Sequence, residues 1–192
     1  MRSSYVSGGD KLAAALAEIG RRLGSANTLT VGFYEGATYP GGGINVPTVA
    51  AIQEFGAPAA GIPPRPFFRN MVAKHEAEWP GVIVDQLRKT DNDASLTLKR
   101  LGALVSGELR QSIVDTNEPP LSPVTLMVRK IIGPNGKATF ADVLEARARV
   151  KAGETAGDVS SKALVWTGHM LNSIDYEVDD EHYEGPRGGT SS

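Results

Sequence analysis

Three prolines within Pro63-Pro-Arg-Pro66 constrain this chain more than any other local feature. Each proline holds its φ at about −65°, removes a backbone donor and disfavours helix in the residue before it. The segment must run extended and then release into a helix, because Pro66 suits a first helical turn. Upstream, Pro47-Thr-Val-Ala-Ala-Ile-Gln-Glu-Phe-Gly56 places a proline where a helix can start and a glycine where one can stop. The reading is a short helix, a Gly/Ala/Pro-rich turn, and a rigid step into a second helix near Phe67. These residues form no catalytic set. They read as architecture.

The flanking sequence alternates helical and strand periods. Leu12, Leu16, Ile19 and Leu23 share one face of a helix over 10–23, with Asp10 as N-cap and Gly24 as stop. Leu29, Val31 and Phe33 alternate with small or polar residues, the period of a half-buried strand. Residues 36–46 are Gly-rich and predict a long loop. A helix from Phe67 to Trp79 is kinked or restarted by Pro80 and continues through Val82, Ile83 and Leu87 to Lys89. Asp91 to Asp93 supplies a turn and cap. The strongest amphipathic helix, over 96–116, carries Leu98, Leu101, Val105, Leu109 and Ile113 on one stripe, with Lys99, Arg100, Glu108 and Arg110 toward solvent.

Ser122-Pro123 is a cap-plus-first-turn signal for a short helix through Lys130. Residues 133–162 differ in composition and read as an inserted flexible segment, partly helical over 139–151, with Phe140, Val143, Leu144 and Val150 as anchors. Thr167 then caps a short helix through Met170 and Leu171, followed by a strand where Ile174, Tyr176 and Val178 alternate. From Asp180 onward the chain is polar and Gly-rich, a flexible C-terminal tail over 180–192. The expected fold class is α+β, one domain over 1–192 with a small antiparallel sheet packed by several helices, and long loops.

At 192 residues the chain is long enough for one domain with a core. Its net charge of −2 and mixed charge order disfavour a dedicated duplex binder, leaving a locally basic pore surface open. The absence of cysteine excludes disulfides, thiolate metal sites and cysteine nucleophiles. No apolar run approaches the ~20 residues of a membrane span, and Met-Arg-Ser-Ser-Tyr lacks a signal-peptide core. A soluble protein made in the cytoplasm is expected. His75, His169 and His182 have no second ligand at helical spacing, so no metal site is expected. Glu76/Glu78 and Asp179/Asp180 read as solvated charges rather than an acid–base pair. Gly41-Gly-Gly43 lacks the Lys and Ser/Thr of a phosphate loop, and Ser112 and Ser122 lack a nucleophile elbow. Neither enzymatic activity nor a cofactor is expected.

Around the proline step, Arg65 is presented with little entropy loss and Arg69 follows one helical turn later. Arg65 suits either an intramolecular ion pair, with Glu54 as a partner, or a bidentate contact to an acidic group on a neighbouring subunit. Phe67 and Phe68 are adjacent at a helix start and cannot both face one core. Glu54, Phe55, Arg65, Phe67, Phe68 and Arg69 are therefore the candidate subunit-interface residues.

The same joint carries a resemblance. Small apolar residues leading into Glu54-Phe55-Gly56, then Ile62-Pro-Pro-Arg-Pro-Phe67 with Arg69 beyond, resemble the tail-completion (neck) and virion-morphogenesis proteins of tailed bacteriophages. The block Pro119-Pro-Leu-Ser-Pro-Val-Thr-Leu-Met-Val-Arg-Lys130 is similar to that family's Pro-Leu-Ser-Pro-x-Thr segment. Leu164-Val-Trp-Thr-Gly-His-Met-Leu-Asn-Ser-Ile174 is similar to its Leu-x-x-Thr-Gly-x-Met-x-x-Ser-Ile segment. The three blocks stand in the family's order, while residues 133–162 replace a much shorter link and the loop at 36–46 is a second elaboration. The resemblance implies an α+β subunit of a ring at the head-to-tail interface of a virion, assembled in the host cytoplasm. Its partners would be portal or connector proteins on one side and the tail terminator or tail tube on the other. A hexamer matches tail symmetry and a dodecamer a portal-side connector; the resemblance favours the hexamer. The alternatives are a tail terminator or collar protein, a DNA-contacting adaptor whose lumen touches genome DNA without sequence preference, and a cell-wall hydrolase.

Overall fold

The computed structural model describes residues 9–24, 28–39, 44–134, 136–166 and 168–179, with backbone alone for 9–13 and 23. The elements in order are α1 (Gly9–Leu23), β1 (Thr28–Phe33), α2 (Val46–Phe55), a single 3-10 turn (Pro58–Ala60) and α3 (Phe67–His75). There follow α4 (Trp79–Lys89), α5 (Ala94–Asp115), α6 (Pro123–Ile132), α7 (Phe140–Lys151), α8 (His169–Asn172) and β2 (Ile174–Asp179). The two strands pair antiparallel as a two-stranded sheet, so the chain is a small α+β fold as its periodicities predict. Among the described residues no helix is long and apolar enough to cross a membrane.

The helix ends follow local chemistry. Asn45 caps α2 by accepting the Thr48 N–H at 3.0 Å, and Pro47 sits in the first turn. Ser122 caps α6 the same way, accepting the Thr125 N–H at 3.1 Å. Thr139 and Asp142 form a reciprocal capping box on α7. Asp142 holds its carboxyl below the ordinary range through the Thr139 hydroxyl and N–H. Between α4 and α5, Asp91 and Asn92 take left-handed φ values of 54° and 62°, and Asp93 accepts the Leu96 N–H at 2.8 Å. The predicted turn and cap at 91–93 is therefore present.

The chain forms two compact units. The first comprises Met1–Val31, Glu76–Val105 and Tyr176–Ser192. Its interior holds Ala94, Leu101 and Val105 together with Thr90 and Thr97, whose hydroxyls lie 2.7 Å apart. Arg22 of α1 donates to the Asp91 carbonyl at 2.9 Å. Gly102 is buried where a Cβ would stand 2.4 Å from the Tyr176 ring, so only glycine admits that contact. The second unit comprises Gly32–His75 and Ser106–Asp175. Its core gathers Val46, Ala50, Phe67, Met71, Leu109, Ile113, Met127, Ala146, Leu164, Met170 and Ile174. Phe33 meets Phe67 edge-on, with ring centroids 6.1 Å apart.

Several expectations change. Helix α3 stops at His75 rather than Trp79, and Pro80 lies in the first turn of α4, so the proline restarts the helix instead of kinking it. Leu98 is only half-buried. The stripe of α5 that turns inward is Thr97, Leu101, Val105, Leu109 and Ile113, because the Thr97 hydroxyl is met by Thr90. In α7 the anchors Phe140 and Leu144 are 75% and 49% exposed, while Ala146 is fully buried: a small side chain lets α7 approach α6 closely. On α1, Leu16 is 59% exposed. Helix α1 begins at Gly9, so Asp10 lies inside its first turn rather than at its N-cap, and Gly168 rather than Thr167 is the N-cap of α8. The Leu12 and Leu23 side chains, Thr167, the Gly41–Gly43 run, Asp180, His182 and the tail over 180–192 lie outside the described residues.

Two glycines on α5 separate packing from propensity. At Gly107 an added Cβ meets nothing within 4 Å, so Gly107→Ala is expected to stabilise by about 0.5–1 kcal/mol through helix propensity. Gly102→Ala forces the Tyr176 ring aside and is expected to cost about 1–3 kcal/mol. Urea unfolding of both variants checks the signs; equal effects would contradict the packing at Gly102.

Candidate functional site

Val46, Ala50 and Glu54 lie four residues apart on the inward stripe of α2, and the third is a carboxylate with 7% of its side chain exposed. Such burial is stable only where donors surround it. Glu54 accepts the Phe68 N–H at 2.9 Å, the Arg69 N–H at 3.2 Å and the Arg69 Nε at 2.8 Å. The two backbone donors belong to the first turn of α3, where no intrahelical acceptor exists. Glu54 thus serves α3 as a remote N-cap, its charge set against the positive end of the helix. Arg69 Nη2 also donates to the Glu54 carbonyl at 3.1 Å, and its guanidinium lies 5.3 Å from the centroid of the Phe55 ring. Gly56, with φ 76°, makes the turn possible, since a Cβ there would be 2.8 Å from the Pro64 nitrogen.

Arg65 is 4% exposed and meets no carboxylate among the described residues. Its Nε donates to the Pro119 carbonyl at 3.0 Å and its Nη1 to Gln53 Oε1 at 3.1 Å. Of the two readings of Arg65, the ion pair with Glu54 falls instead to Arg69, because Glu54 is drawn to the unpaired N–H groups at the start of α3. Phe67 is buried in the core and Phe68 is half-buried. Of the six candidate interface residues, Phe55 and Arg69 have substantially exposed side chains, Phe55 at 66%. Ser112, already without a nucleophile motif, donates its hydroxyl to the Phe67 carbonyl at 2.6 Å.

A second buried guanidinium escaped the sequence reading. Arg129 of α6 donates through Nη1 to the carbonyls of Ser160 and Lys162 at 3.0 and 2.8 Å, and through Nη2 to that of Ala163 at 3.0 Å. Its guanidinium lies 4.8 Å from the Trp166 ring centroid. An arginine inside the apolar run Val124–Ile132 was the available signal. Burial lowers the pKa of both arginines from the usual value, and Arg65 adds repulsion at Arg129.

Arg129 and Trp166 line a cavity of about 560 Å3 in the second unit, with Tyr39, Gln53, Lys137 and His169 also in its wall. Tyr39 stands edge-on to His169, centroids 5.7 Å apart, and burial raises its hydroxyl pKa. Among the described residues that line it, none is Asp or Glu. Elsewhere, His75 Nδ1 lies 3.5 Å from Glu108 Oε1. Among the described residues there is no group of three or more His, Cys, Asp or Glu side chains that could hold a metal ion. Compared with protein-family models, curated proteins and solved structures, the chain matches none.

The elbow makes a graded prediction. Glu54→Ala strands two part-buried N–H groups and is expected to cost about 2–3 kcal/mol. Arg69→Ala removes a partner whose side chain is 59% exposed and leaves the backbone donors satisfied, so it is expected to cost ~1 kcal/mol or less. Denaturant unfolding of each variant checks the order. Near-equal losses would mean that the ion pair, not capture of the N–H groups, holds the elbow.

Proposed function

We propose that this chain is a structural subunit of the head-to-tail joint of a tailed bacteriophage, a neck or tail-completion protein that forms a ring between the portal-side connector and the tail. The observation that carries this reading is that the three blocks bearing the resemblance are bonded to one another in the second unit. Arg65 of the first block donates to the Pro119 carbonyl of the second. Arg129 of the second donates to the Ala163 carbonyl, beside the third block, and stacks on its Trp166. Residues of three distant segments are spent on building one frame.

Two exposed apolar surfaces accompany that frame. One is Phe55 beneath the Arg69 guanidinium, an aromatic–arginine pair of the kind enriched at interface centres. The other is the outer stripe of α7, where Phe140, Leu144 and Ala148 recur every four residues and are all exposed. Large apolar side chains grouped at the surface suit a protein contact. Helix α7 belongs to the segment over 133–162 that the resemblance does not account for, which fits a contact arm particular to this joint. Cyclic assembly needs two unlike faces on each subunit, and two separate patches meet that need.

The test is electron microscopy of lysates after the gene is disrupted in its phage or prophage. DNA-filled heads separate from finished tails are expected; joined, intact particles would overturn the proposal. Complementation then examines the patches. Phe55→Asp and Phe140→Asp are expected to change stability by no more than about 0.5 kcal/mol, as surface substitutions do, yet to fail in restoring joined particles. Full rescue by both would remove these residues from the joint.

A further inference from the structure

Arg129 and Lys137 put two cationic side chains into the wall of the cavity, beside the His169 ring. Among the described residues that line it, none carries a carboxylate. Arg129 has five N–H donors. It uses both on Nη1 and one on Nη2, all toward neutral carbonyls. The Nε donor and the second Nη2 donor have no acceptor among the described residues. Arg65 likewise spends its contacts on a carbonyl and an amide oxygen. Two buried guanidinium groups thus share one unit with no carboxylate on either among the described residues. A desolvated cation without a counter-charge is costly, and a carboxylate is its best complement because it can accept two parallel N–H bonds.

The remaining wall narrows the ligand class. Tyr39, Trp166 and His169 offer ring faces and edges beside the charges, which suits an acidic segment containing an aromatic residue. A volume of about 560 Å3 is in the range of pockets that enclose a few side chains. The chain itself supplies such a segment. Directly after β2 the sequence reads Asp180-Glu181-His182-Tyr183-Glu184, three carboxylates and a tyrosine within five residues, followed by Gly185-Pro186 and a polar end.

We propose that this cavity receives the acidic segment Asp180–Glu184 of a second copy of the chain, so that each subunit passes its C-terminal segment to its neighbour. The inference rests on the ring reading above, because a contact between two unlike faces closes only in a cyclic assembly. It adds the chemistry of that contact: carboxylates seated on Arg129 and Lys137, and Tyr183 against the aromatic wall.

The receptor for the test is the full-length chain carrying Asp180→Asn, Glu181→Gln and Glu184→Gln, which leaves its cavity open to a probe. The probe is a synthetic peptide of residues 179–192. With Trp79→Phe in the receptor, Trp166 is the sole tryptophan and reports on the cavity wall. The peptide is expected to change Trp166 emission saturably and to bind more weakly as salt rises. The same three substitutions in the peptide, or Lys137→Glu in the receptor, are each expected to weaken binding about tenfold. Lys151→Glu, outside the cavity, is expected to leave it unchanged.

No binding, equal binding of the neutralised peptide, or no effect of Lys137→Glu overturns the proposal. Equal binding of a scrambled peptide of the same composition overturns it too, by showing a general anion site. If the unaltered chain blocks the peptide while it is still monomeric by sedimentation, the segment fills its own cavity and the claim for a second copy falls. The two readings separate cleanly. A ring that persists in the tail-neutralised chain overturns the handover and keeps the ring. A receptor that binds peptide, in a chain that is monomeric at every concentration and does not join heads to tails, overturns the ring.

Discussion

Two buried guanidinium groups hold together what regular secondary structure does not. With only two strands in its sheet, the fold leaves long irregular stretches whose carbonyls have no ladder to enter. Arg129 meets this need over 160–163, donating to three carbonyls from one side chain, and Arg65 does so for Pro119. Arginine suits the task because its planar fork offers several donors in fixed directions and stacks on Trp166 at the same time. A lysine would supply a point charge without that geometry. The cost is two desolvated charges in one unit, of which Arg129 lines the cavity together with Lys137.

The elbow between α2 and α3 solves a related problem with the opposite charge. A proline-rich step leads into α3 and cannot supply a side-chain cap, since Pro66 occupies the position just before Phe67. Glu54 reaches across from the end of α2 and accepts the Phe68 and Arg69 N–H groups. Gly56 supplies the left-handed turn that brings the two helices together. The exposed Arg69–Phe55 pair is then a by-product of capping, placed at the surface because Arg69 follows the captured donors in sequence. A surface feature suited to partner contact is thereby built on a rigid base, which limits the entropy lost on association.

These features bear on the proposed role in different ways. The three blocks are bonded to one another in one frame, and α7 and the Phe55 elbow present exposed apolar side chains beside it. Ser112 and Ser122 both have structural partners: Ser112 holds the Phe67 carbonyl and Ser122 caps α6. Arg129 and Trp166, which join the second block to the third, also line the cavity.

Local chemistry made much of the fold legible in the sequence. Prolines, glycines and capping residues act within a few positions of themselves, so the starts of α2 and α6, the turn at 91–93, the stop at Gly56 and the helix over 140–151 could be read directly. The charged contacts could not. Which carboxylate Arg69 meets, why Arg65 meets none, and that Arg129 belongs to the site at all depend on which backbone groups are left without partners after packing. That Ala146 rather than Phe140 faces α6 likewise depends on how closely two helices approach. Sequence determined most of the elements and several of their ends because those energies are local; tertiary structure alone decided the partners, because desolvation and orphaned backbone groups exist only once distant segments have met.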